Sequence, residues 1–156
     1  MARACTVRRL APGDEALLAL LAREDADFDL AERGAALEPL TPAAARDYLG
    51  DPSVLHWVAE RDGVVLGHMC CHWLRLRGGG GRELLLYEIG VRAAERRSGV
   101  GRALMAEMRA WMARHAVQDV WVLADNPDAV LFYQACGFAI ETPEPTYLLL
   151  HLPDST

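Results

Sequence analysis

The segment Arg96-Arg97-Ser98-Gly99-Val100-Gly101-Arg102 carries the spacing Arg-x-x-Gly-x-Gly and stands between a strongly apolar stretch and a helical one. Glycines there let the backbone approach a ligand with no side chain in the way. Successive backbone N–H groups at a helix N-terminus attract a phosphate or a diphosphate. The spacing matches neither the dinucleotide fingerprint G-x-G-x-x-G nor the phosphate loop that ends in Gly-Lys-Ser/Thr, so a diphosphate ligand of another kind is implied. All 16 basic residues are arginine, and an isolated arginine therefore carries little functional weight.

Glu88 is the second chemical group. It lies in Glu83–Val91 (ELLLYEIGV) between Tyr87 and Ile89, and a carboxylate in so apolar a strand is unusual for a purely structural residue. It suits a general base; orienting a substrate cation or pairing with an arginine are the other roles open to it. Cys70, His72 and His68 share one face of a strand by alternation. A thiolate route would need an activated cysteine, and nothing in the sequence around Cys70 suggests activation, so a packed strand is the simpler reading and no metal site is expected.

The elements that must position these groups follow from the pattern. Thr6–Leu10 reads as a first strand, Asp14 as the cap of a helix with Leu17, Leu18, Leu20 and Leu21 on its inner face, and Glu24, Asp25, Asp27 and Asp29 lie at or past its end. Thr41-Pro42 starts a second helix that ends near Gly50. Val54–Glu60, a turn at Asp62-Gly63 and Val64–Leu76 form an antiparallel hairpin, and Gly78–Gly81 is a loop tip. Glu83–Val91 is the central strand, with Gly90 marking a bulge or a close backbone approach. A long helix carries Leu104, Met105, Met108, Trp111 and Met112, and Val120–Leu123 is a short buried strand. Pro127–Cys136 is a helix closed by Gly137, and Thr146–Leu152 is a last strand. The order predicts an α/β chain, a single domain over 1–156 with a mixed sheet and helices on both faces.

Arg96-x-x-Gly99-x-Gly101 after a strand resembles motif A of the GNAT acetyltransferases, and Asn126-Pro-Asp-Ala129 through Tyr133 to Gly137-Phe138 is similar to that family's N-x-x-A-x-x-x-Y-x-x-x-G-F segment. The resemblance implies the GNAT fold: a mostly antiparallel sheet with a splayed parallel pair. It also implies acetyl-CoA as cofactor, its diphosphate on Arg96, Arg97, Ser98, Gly99, Val100, Gly101 and Arg102. The pantetheine arm and thioester would lie along Ile89, Gly90 and Val91, with Tyr133 as the acid that protonates the leaving thiolate. Asn126 either caps its helix or contacts the cofactor. Over most of its length the chain further resembles the type I aminoglycoside 3-N-acetyltransferases, in LLAREDADFD, in YEIGVRAAERRSGVG and in the tail LPDST. That implies a polycationic aminoglycoside acetylated by direct transfer, on its 3-amino group, with Tyr87 beside the base Glu88. Glu24, Asp25, Asp27, Glu88 and Asp154 are the acids available to it. Other small amines, polyamines and peptide N-termini are alternative acceptors, and a catalytically silent acyl-CoA-binding regulatory module is the alternative of another class.

The composition agrees. A chain of 156 residues, 52% hydrophobic, can bury a core without staples. A formal net charge of -6 argues against a nucleic-acid partner and is compatible with a cationic substrate. No apolar run is long enough to span a bilayer, no secretory leader is visible, and the four cysteines read as free thiols, so a cytoplasmic protein without membrane attachment is expected, with a homodimer admitted.

Overall fold

The computed structural model describes residues 4–28, 37–79 and 81–154. The chain separates into two compact units, Met1–Leu123 and Ala124–Thr156.

In the first unit the strands are β1 (Thr6–Arg9), β2 (Val54–Arg61), β3 (Val64–Arg75), β4 (Arg82–Val91) and β5 (Val120–Trp121), and the helices are α1 (Glu15–Arg23), α2 (Asp25–Phe28), α3 (Pro42–Gly50) and α4 (Val100–Arg114). The sheet order is β1-β2-β3-β4-β5, antiparallel throughout except for the parallel pair β4-β5. This is the mixed α/β sheet that the pattern predicts. The β2-β3 hairpin turns on Asp62 and Gly63, both with positive φ (52° and 77°), the conformation a tight two-residue turn requires. Thr41 Oγ1 accepts the Ala44 N–H at 3.2 Å and Pro42 occupies the first turn, so α3 begins where the sequence places it. Asp14 precedes α1 but makes no side-chain cap. Its carboxylate is drawn instead to the Ala11 N–H and to Arg8.

Alternation along β2 and β3, interrupted once where Ala59 pairs with Gly67 and Glu60 with Val65, divides the core in two. On one face α4 buries Leu104, Met105, Met108, Trp111 and Met112, Trp111 meets Trp57 and Trp73 edge-on, and Cys71 Sγ lies 3.8 Å from Met108 Sδ. On the other, Leu10, Leu21, Phe28, Leu49, Val58 and Val65 form a second cluster beneath α1, α2 and α3. Each such side chain contributes about 1.5–3 kcal/mol on leaving water.

One irregularity decides which face the acid of β4 takes. Cys70 pairs with Glu88, but Cys71 pairs with Leu86, so Tyr87 is an extra residue in β4. Without that bulge Glu88 would follow Leu84 and Leu86 onto the α4 face. With it, Glu88 stands beside Cys70 on the face of α1–α3, and Tyr87 is 68% exposed. The bulge thus falls three residues before Gly90, and at Gly90 the requirement is close approach: a Cβ there would lie 2.8 Å from both Cβ and the carbonyl oxygen of Phe28. At its other side β4 pairs with β5 only at Leu84 and Leu85, and Ile89–Val91 lie beyond that pairing.

Strand β5 is shorter and more exposed than its apolar sequence suggests. Trp121 is 40% exposed and its indole N–H reaches Glu83 Oε1 at 3.2 Å, an interaction available only at the surface.

The second unit holds α5 (Pro127–Ala135), capped by Asn126 and followed by Gly137 at φ 96°. Thr146–Leu152 forms no strand, contrary to expectation, and Leu148, Leu149 and Leu150 are exposed.

Gly90→Ala forces its methyl group into the backbone of Phe28. A loss of about 1–3 kcal/mol is expected from urea unfolding; a variant as stable as the parent contradicts the packing described.

Candidate active site

Between α1, α2, α3 and the sheet lies a cavity of about 260 Å³, lined by Leu18, Leu21, Ala22, Leu37 and Leu40 on its apolar side and by Asp25, Glu38, Tyr48, His56, His68 and Glu88 on its polar side. The bulge at Tyr87 is what gives it Glu88. Three carboxylates in an otherwise apolar wall favour a cation, and of the acids singled out from the sequence Asp25 and Glu88 are among them.

Glu24 and Asp27 are differently engaged. Arg92 spans them at 2.6 Å and 3.0 Å, and its guanidinium lies 4.6 Å from the centre of the Phe28 ring, so the two acids fasten α2 to the end of β4. Asp29 lies outside the described residues. Asp154 is exposed in the second unit.

A hydrogen-bonded chain runs along the cavity floor. Tyr48 Oη is 3.0 Å from His56 Nδ1 and 3.1 Å from Cys70 Sγ, and His56 Nε2 is 3.0 Å from His68 Nδ1. Burial holds both imidazoles well below the usual histidine value, and His56 is lowered further by its neighbours His68 and His72. Both are neutral at pH 7. Burial raises the Tyr48 hydroxyl far above its ordinary range and pushes the Cys70 thiol up to about 11, with the charge of Glu88 adding to each. Burial, with Cys70 beside it, also raises the Cys71 thiol. Neither cysteine is a thiolate at neutral pH, which argues against a covalent cysteine route.

His68, His72 and Cys70 stand out in the sequence by their shared strand face; His56 and Tyr48 do not. The Asp62-Gly63 turn alone would set His56 opposite Met69; a shift in register between Ala59 and Glu60, which no local pattern announces, sets His56 opposite Cys70 and Val58 opposite His68. Tyr48 arrives from α3, which no local pattern relates to β3.

The loop from β4 to α4 has the form of an anion cradle. Arg97 and Gly99 both have positive φ (64° and 91°), and Gly99 precedes α4 without capping it through a side chain. The first helical bond runs from the Ala103 N–H to the Gly99 carbonyl, which leaves the N–H groups of Val100, Gly101 and Arg102 outside the helical ladder. A Cβ built on Gly99 meets nothing within 4 Å, so open space lies where a ligand would stand. A diphosphate fits such a turn. Arg96 Nε donates to the Val91 carbonyl, the Ser98 hydroxyl to the Glu95 carbonyl, and Arg61 pairs with Glu95, which together hold the loop shape.

In the second unit Asn126 Oδ1 accepts the Ala129 N–H at 2.8 Å, the capping role of the two considered for it. Tyr133 is buried, its ring 5.5 Å from Phe132 and 5.4 Å from Phe138.

Comparison with known proteins agrees with this architecture. Residues 19–138 match the acetyltransferase (GNAT) family model, and the chain belongs to that family. It is 33% identical over 150 residues to a mycothiol acetyltransferase of Thermobispora bispora, an alignment that covers 90% of this chain and 48% of the relative, so the chain spans about half the length of that protein. Among solved structures it is similar to an aminoglycoside acetyltransferase from an uncultured soil metagenomic sample (TM-score 0.78, 22% identity, 98% of this chain and 100% of that one). It is also similar to a second such enzyme in complex with sisomicin (TM-score 0.70, 16% identity, 97% and 96%). At these identities the two structures establish a common fold. Among the described residues no helix is long and apolar enough to cross a membrane.

Neutral burial of His56 and His68 sets a pH dependence. Each ring binds a proton in the unfolded chain below about pH 6.5 but not in the folded one, so stability falls with falling pH by about 1.4 kcal/mol per unit per ring. Urea midpoints between pH 7 and pH 5 should drop accordingly, and His68→Gln should shallow the slope; a midpoint independent of pH contradicts neutral burial.

Proposed function

We propose that the chain is an acetyl-CoA-dependent N-acetyltransferase that acts on the amino group of a small cationic acceptor held in the cavity of α1–α3, within one catalytic domain over 1–156. The observation that carries this reading is the bulge at Tyr87, which turns the Glu88 carboxylate into a cavity, on the strand that leads to the glycine loop at the start of α4.

In this reading the N–H groups from Arg97 to Arg102 would hold the diphosphate, with Arg96 keeping the loop shape, and the backbone of Ile89–Val91 would hold the pantetheine arm and polarise the thioester carbonyl. A bound acetyl thioester supplies the activated acyl carbon. Glu88 accepts the proton that the amine loses on attack, and Tyr133 hands a proton to the departing sulfur. Asp25 and Glu38 orient the ammonium group, while Leu18, Leu21, Leu37 and Leu40 exclude water around the amine. A cavity of about 260 Å³ admits one amine-bearing ring and its neighbours.

An aminoglycoside, acetylated on its 3-amino group, is the acceptor we favour. The three cavity carboxylates and the fold shared with aminoglycoside acetyltransferases support it. The identity to a mycothiol acetyltransferase favours a second reading, in which the acceptor is an amine of the kind that relative uses. The cell interior is the expected setting.

Release of free CoA from acetyl-CoA, measured with sisomicin and with a panel of small amines and peptides, tests the reading. Turnover with sisomicin is expected, and turnover confined to other amines removes the aminoglycoside assignment. Glu88→Gln should lower kcat about a hundredfold or more across the pH range, and Tyr133→Phe should do so while leaving CoA affinity intact. Gly99→Ala, which puts a methyl group where the diphosphate would lie, should weaken CoA binding by about tenfold in calorimetry, roughly 1.4 kcal/mol; unchanged affinity contradicts the cradle.

A further inference from the structure

Tyr48, His56, His68 and Cys70 form a polar chain in an otherwise apolar core, and none of them has a role in the transfer as described above. Burying polar groups costs stability unless they are paired, so a connected line of four is a feature to be explained. The line has two ends. His68 lines the cavity, and its Nδ1 is committed to His56, which leaves Nε2 as the ring nitrogen able to meet an acceptor. At the other end Cys70 Sγ lies 4.0 Å from His72 Nε2. His72 is only half buried and meets the exposed Tyr87 edge-on, at the bulge.

We propose that His68, His56, Tyr48 and Cys70 form a proton wire that carries one proton of the incoming ammonium group from the cavity to His72 and so to solvent. The inference rests on the acetyltransferase reading and deepens it. An amine that arrives as an ammonium ion must shed two protons to become an amide, and Glu88 takes only the one lost on attack.

The transfer balances along the chain. The acceptor N–H bond breaks and a bond forms to His68 Nε2; the proton on His68 Nδ1 passes to His56 Nε2, that on His56 Nδ1 to Tyr48 Oη, that on Tyr48 Oη to Cys70 Sγ, and that on Cys70 to His72 Nε2. Each group gives one proton and receives one, and His72 releases its own to water. After product leaves, the same steps run backward with solvent at both ends and restore the starting tautomers. Every link joins groups that can both donate and accept, which is what a wire requires. The charged and titratable groups that face it are Glu88 from β4, Asp25 from α2, Glu38 at the cavity wall, and Asp51, which lies close enough to His72 for their charges to interact. Cys71 adjoins Cys70 from the other face.

The wire matters only when the acceptor enters as an ammonium ion, and this gives it a signature that a packing role lacks. With whichever amine of the panel the parent protein turns over, Tyr48→Phe should lower kcat/KM about a hundredfold at pH 6.5 and return to near the parent rate at about pH 10, where the amine is already neutral. Cys70→Ser, which keeps a donor and acceptor, should retain the parent profile, and Cys70→Ala should copy Tyr48→Phe. Binding of acetyl-CoA by calorimetry should be the same in all four proteins. Variants that lose activity equally at every pH, or whose profiles match the parent, overturn the wire and leave the acetyltransferase reading standing. A parent protein that binds acetyl-CoA but turns over no amine, or that binds no acetyl-CoA, overturns both.

Discussion

The arrangement depends on a single extra residue in β4. A strand presents its side chains with a period of two, so Leu84, Leu86 and residue 88 would all face α4 if β4 were regular. Tyr87 breaks that count. Glu88 therefore leaves the Met108 and Trp111 side of the sheet and joins Cys70, Tyr48 and the two buried histidines on the other. A carboxylate pressed against Met108 would carry an uncompensated desolvation cost; in the cavity it faces groups that it can influence and a space that a cation can enter.

Other features serve to keep that strand in place. Gly90 admits the backbone of Phe28, and Arg92 then ties Glu24 and Asp27 to the end of β4 while stacking on Phe28. Helix α2 is thereby held over the end of β4 that follows Glu88. Just beyond, the chain turns through Arg97 and Gly99 into α4, whose inner face buries one side of the sheet. The glycine loop and the Glu88 carboxylate thus hang on one strand, and their spacing is set by covalent continuity.

Much of this was legible in the sequence because it is encoded locally. The Asp62-Gly63 turn, the Thr41-Pro42 helix start, the apolar stripe of α4 and the Gly99 loop each depend on a few neighbouring residues, and each is found where the pattern places it. Glu88 stood out because its neighbours are apolar. The bulge, however, sits at Tyr87 and not at Gly90, since the glycine answers to Phe28, a residue more than sixty positions away. The split of the acidic run, with Asp25 at the cavity and Glu24 and Asp27 on Arg92, is likewise set by a partner distant in sequence. The Tyr48-to-His68 chain draws on α3, β2 and β3 together, and Thr146–Leu152, an apolar run like Leu84–Leu86 of β4, forms no strand and stays exposed.

The placement of Glu88 is most directly tested by carbon-13 NMR of its carboxyl group, assigned by the signal lost in Glu88→Gln. In the arrangement described, the resonance moves in Tyr48→Phe and in Cys70→Ser and stays in place in Met108→Leu. A resonance that answers to Met108 and ignores Tyr48 would mean that β4 is regular, that the carboxylate faces α4, and that Glu88 does not line the cavity.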